Sequence, residues 1–102
     1  MPSERVPRRD PRRRLARLVL RLEEDGGFVT LDDIQAAARR SMRTQTPDGL
    51  ERLVDDAVAD SLLLKDRRTF FDRREVSLTA AWVYRVNPRH PLVRDEIEDA
   101  SR

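Results

Sequence analysis

The sequence predicts an α+β fold, a bundle of three short helices followed by an antiparallel β-hairpin. Three observations point there. Apolar residues recur at helical spacing in three separate stretches between residues 10 and 62. The period then changes to two across residues 62–86, where β-branched and aromatic side chains gather. A chain of 102 residues has room for one small core, so both patterns must share it.

The first helix starts near Asp10, a good N-cap, with Pro11 at the first helical position, where its missing N–H is no loss. Leu15, Leu18, Val19 and Leu22 form one apolar stripe, with Leu20 off it. Gly26 and Gly27 end the helix by accepting the left-handed conformation. Phe28 and Val29 make a short extended link. Thr30 opens the second helix, with Asp33 three residues on as in a capping box. Its buried side is Leu31, Ile34, Ala37 and Ala38, and it fades between Arg40 and Met42. The third helix has two candidate caps, Thr46 followed by Pro47, or Asp48 closed by Glu51; Gly49 weakens either start. Leu50, Leu53, Val54, Ala57 and Val58 carry the period to Ser61 or Leu62.

Two strands follow, residues 62–71 and 76–86, with their turn at 72–75 or, more tightly, at 66–68. Leu78, Trp82 and Tyr84 share one face, and the aromatic pair is expected to anchor the hairpin on the helices. Phe70 and Phe71 point to opposite faces, so one is expected to be exposed. His90-Pro91 opens a short C-terminal helix through Leu92, Val93 and Ile97. The resulting organisation is a flexible basic arm (1–9), a folded domain (10–87) and a C-terminal extension (88–102).

Charge is 39% of the residues but nets only +2, and it is distributed in blocks. Residues 1–21 hold eight arginines against Glu4 and Asp10; residues 22–64 hold ten acids against four arginines. Residues 65–94 are basic again, and the last eight residues are acidic. Basic blocks commonly meet nucleic acid or acidic protein. The absence of cysteine excludes disulfide scaffolds, thiolate zinc sites and cysteine nucleophiles. The longest aliphatic run, Leu62 to Leu64, is far too short to span a bilayer, and no apolar stretch follows the basic start as in a secretory signal; a cytoplasmic protein without membrane contact is expected.

The order helix, short strand, helix, helix, hairpin resembles the winged helix-turn-helix fold. The likeness is carried by the Leu15/Leu18/Val19/Leu22 stripe, the Phe28-Val29-Thr30 link, the Leu50/Leu53/Val54/Ala57 stripe and the run into Leu62-Leu63-Leu64. In that fold the third helix enters the major groove while the wing touches backbone or minor groove. Carried onto this chain, the resemblance implies phosphate contacts from Arg43, Thr44 and Gln45 in the turn and from Lys65, Arg67, Arg68, Arg73 and Arg74 in the wing. Arg39 and Arg40, just before that turn, are expected to contact nucleic acid with it. The third-helix face would be Asp48, Glu51, Arg52, Asp55, Asp56 and Asp60, and five acids there disfavour reading of a polyanion.

Two functions therefore follow as expectations. One is a non-enzymatic binder of nucleic acid, DNA rather than RNA, of the kind used in transcription regulation. It would act through arm and wing: Arg8, Arg9, Arg12 and Arg13 with the turn and wing residues above. The other is a protein-interaction module or homodimer working through Asp48, Glu51, Asp55, Asp56 and Asp60. No catalytic, metal or cofactor site is expected: His90 is the one histidine, and the paired carboxylates Glu51/Asp55 and Asp56/Asp60 lack a converging third ligand.

Overall fold

The computed structural model describes residues 10–43 and 45–100, the side chains of Asp72 and Ala100 apart. Four helices and one two-stranded hairpin follow in the order α1 (Pro11–Glu24), α2 (Leu31–Ser41), α3 (Pro47–Ala59), β1 (Leu63–Asp72), β2 (Ser77–Val86) and α4 (Pro91–Ala100). The fold is α+β, helices first and hairpin after.

The caps explain the boundaries. Asp10 accepts from the backbone N–H of Arg12 at 2.8 Å and starts α1. Thr30 and Asp33 form a reciprocal capping box on α2. At α3 the open choice falls to Thr46, whose hydroxyl accepts from Gly49 N–H at 3.0 Å, with Pro47 at the first position. Gly49 fits here because a Cβ would lie 3.0 Å from that hydroxyl and 3.3 Å from Gln45 Oε1. The end of α3 is a Schellman motif. Leu62 N–H donates to the Ala57 carbonyl, Ser61 N–H donates to that of Val58, and Ser61 takes the left-handed conformation at φ 59°. Leu62 thereby turns inward against Ala57, and β1 starts at once.

The core joins Leu15 and Val19 of α1, Ile34 of α2, Val54 and Ala57 of α3, and Leu62, Leu63, Tyr84 and Val86 at the base of the hairpin. Leu18 is buried as the stripe requires; Leu20, read as off it, is partly buried against the same core. β1 and β2 pair antiparallel from Leu63↔Val86 to Asp72↔Ser77, which places the turn at 73–76 and leaves Asp66, Arg67 and Arg68 within the strand. Tyr84 N–H donates to the Val29 carbonyl at 2.7 Å, so the short link before α2 pairs with the free edge of β2.

The segment expected as a C-terminal extension contributes a core element in α4 (Pro91–Ala100). α4 packs on α1, and Leu92 and Val93 are buried with the rest. His90 caps it, its Nδ1 accepting from Leu92 N–H at 3.2 Å while its Nε2 lies 3.1 Å from Asp60 Oδ2. Among the described residues no helix is long and apolar enough to cross a membrane.

Candidate nucleic-acid interface

The hairpin outruns the helices that support it. Direct ladder partners project from the same face. On one face these are Leu63/Val86, Lys65/Tyr84, Arg67/Trp82, Thr69/Ala80 and Phe71/Leu78. The first pair and Tyr84 are buried on the helices, but Trp82 is 51% exposed and Leu78 74%. Tyr84 alone of the aromatic pair anchors the hairpin. The expectation for Trp82 fails because alternation fixes which face a residue takes, and not whether the supporting layer reaches that far.

Trp82 instead lies under two cations. Lys65 Nζ stands 4.7 Å from its ring centre and 5.8 Å from that of Tyr84, and the Arg67 guanidinium stands 5.7 Å from Trp82. The opposite face holds a second cluster. Phe28 meets Phe70 edge-on with centroids 5.3 Å apart, and Arg68 lies 5.3 Å over Phe28. Phe71, on the other side from Phe70, is exposed as expected. Arg73 and Arg74 are exposed at the turn. From Leu63 to Val86 the hairpin carries six cations against Asp66, Asp72 and Glu75, and Asp66 lies 3.5 Å from Arg68.

The basic residues of α1 divide. Arg13 is only 2% exposed: its Nε donates to Glu96 and its guanidinium to Asp99, both at 2.6 Å. It ties α4 to α1 and is withdrawn from the interface expected of it, since a guanidinium held by two carboxylates has no reason to leave them for phosphate. Arg17 also grips Glu96, at 3.0 Å to each oxygen. Its hydrogen bonds hold the Glu96 carboxyl below the ordinary carboxylate range in spite of burial, with Arg13 adding to the effect. Arg12 remains at the surface, 3.6 Å from Asp10 and 3.5 Å from Asp60. Arg8, Arg9 and Thr44 lie outside the described residues.

Arg39, Arg40 and Arg43 are exposed, and Gln45 is half-buried. Arg39 and Gln45 border a shallow hollow between α2 and α3. Arg40 faces elsewhere, into a groove of about 390 Å³ between α1 and α2 that Arg14, Arg17 and Arg21 also line. The Arg14 side chain donates there to the Ser41 carbonyl. This groove was legible and missed: Arg14, Arg17 and Arg21 share one helical face by their spacing of three and four.

On α3, Asp48, Glu51, Asp55 and Asp56 are all exposed, and none is ion-paired among the described residues. Asp48 and Arg52, four apart on α3, form no ion pair with each other. Asp60 differs, lying between Arg12 and His90 at the foot of the hairpin. Comparison with family models, with curated proteins and with solved structures yields no match to this chain.

Proposed function

We propose that the chain is a non-enzymatic, winged-helix binder of duplex DNA whose principal contact is the hairpin, acting as the wing. The observation that carries this reading is the exposed middle of that hairpin, where Lys65 and Arg67 crown an unburied Trp82. A tryptophan left half in solvent beneath two cations is an amphipathic surface suited to sugar and phosphate. The layout supports the winged-helix reading: three helices, then a hairpin whose second strand carries the Val29 link on its free edge. The acidic α3 turns major-groove reading away, so affinity rests on phosphate contacts and sequence selectivity is weak.

Polarisation of a labelled duplex across salt tests it. Four phosphate contacts, from Lys65, Arg67, Arg68 and Arg73, give a log–log slope of about −4. Arg67→Glu with Arg73→Glu is expected to lower affinity at least tenfold and to reduce the slope by about two. A flat salt response, or unchanged binding by the double variant, overturns the reading.

The unpaired acidic face of α3 favours a second reading, a docking surface for a basic partner protein. Pull-down with Asp55→Lys/Asp56→Lys separates the two: loss of every partner supports docking on α3, and retention of all of them excludes it.

A further inference from the structure

The far end of the hairpin carries apolar side chains that the described chain does not cover. Phe71 and Leu78 are direct partners on one face, 60% and 74% exposed. Val76, in the turn, is 74% exposed and sits at φ 52°. A β-branched residue in that conformation is a true outlier. Glycine or asparagine would fill the turn without strain, so apolar bulk is kept there against backbone preference. Arg73, Arg74 and Glu75 stand beside it, exposed, and residues 72–75 together carry no net charge. The Phe71↔Leu78 pair lies eight residues up β1 from the buried Leu63↔Val86 pair, about 27 Å at a strand rise of about 3.4 Å. The extremity is thus an apolar knob held away from the helices, on the hairpin face that also carries Lys65 and Arg67.

The two halves of this face ask for different surroundings. The cations of that face, Lys65 and Arg67, favour a polyanion, and the knob favours a dry contact. A second copy of the face would meet those cations with like charge. A duplex meets both needs: phosphates line each groove, and a base step opened from the minor-groove side accepts an apolar wedge, which kinks the helix axis. The one-faced placement of Phe71 and Leu78 suits entry from a single side.

We propose that the hairpin tip inserts Phe71 and Leu78 as a wedge at a base step in the minor groove and bends the duplex. This deepens the nucleic-acid reading and rests on it. Pyrimidine–purine steps, which unstack most readily, are its preferred points of entry.

The test uses the full chain and a duplex of about 30 base pairs with one central TA step and a dye at each end, so that energy transfer reports bending and polarisation reports binding. Wild type is expected to raise transfer in proportion to occupancy. Phe71→Ala/Leu78→Ala changes two exposed positions, and circular dichroism checks that it folds. It is expected to bind within about tenfold of wild type, because phosphate contacts dominate affinity, while transfer stays at the value of free duplex. Saturation by wild type without a change in transfer overturns the wedge and leaves the binding reading standing. So does equal bending by the double variant. Self-association of wild type that the double variant abolishes also overturns the wedge, assigning the tip to contact between copies. Absence of any polarisation change at low salt overturns both readings.

Discussion

At Glu96 one buried carboxylate receives two guanidiniums, and a fourth charge, Asp99, completes the group through Arg13. Removing Glu96 leaves the buried Arg13 with Asp99 alone and takes from Arg17 its charged hydrogen-bond partner. Glu96→Gln is therefore expected to destabilise by about 1.5–3 kcal/mol, read as a lower urea midpoint at neutral pH. Because the folded-state value of Glu96 is depressed, its contribution is complete above the unfolded value of about 4.3 and is lost as pH falls through the folded value. Wild type should lose stability into acid more steeply than the variant. Glu23 has the opposite sign. Burial raises its carboxyl, offset in part by Val86 N–H and by Arg85. Its favourable part is complete below the unfolded value and fades as pH rises through the raised one, so Glu23→Gln is expected to cost little at neutral pH. Ser61 offers the reverse experiment. Its left-handed conformation strains any residue with a Cβ, and Ser61→Gly should gain about 0.5–1 kcal/mol in chemical denaturation. The role of Arg13 was not legible from sequence. Arg12, Arg13 and Arg14 read alike in a row, and the acids that single out Arg13 lie more than eighty positions away.

The helices were legible because stripe and cap agreed at each of them. Leu15/Leu18/Val19 and Leu50/Val54/Ala57 bury the faces their spacing requires, and Asp10 and Thr30 cap as their positions suggest. The hairpin was legible in its period and not in its reach. Asp66-Arg67-Arg68 and Asp72-Arg73-Arg74 present the same residue types, so composition could not choose the turn; the ladder does, by pairing Leu63 with Val86. Its outer half contributes little to the core. Replacing residues 67–82 by a two-residue Asn-Gly turn, a type suited to a hairpin, should leave the melting temperature within a few degrees of wild type while removing duplex binding. A collapse of the fold on this change would show the outer strands to be structural. The open edge of β1 carries Lys65, Asp66, Arg67 and Arg68, charges of the kind that discourage pairing with other chains.

Across the molecule the charge blocks of the sequence become surfaces: a cationic hairpin, an arginine-lined groove between α1 and α2, and an acidic α3. Asp60, at the C-terminal end of α3, touches both Arg12 and His90. If the acidic helix weakens duplex binding by repulsion alone, Asp55→Lys/Asp56→Lys should tighten it severalfold at low salt, with the gain shrinking as salt shortens the screening length. Unaltered affinity at low salt would place α3 on the far side from the nucleic acid. The docking of α4 on α1 has a further result for how the chain is threaded. Arg13 and Asp99 meet although 86 positions separate them, so the first and last helices lie side by side. A circular permutant that joins residue 100 to residue 10 by a brief linker and opens at 73–76 would turn this long-range closure into a local one. Such a rearrangement should keep the native core but fold more slowly than the natural order, because opening the turn makes the hairpin ladder, local in the natural chain, the long-range pairing instead.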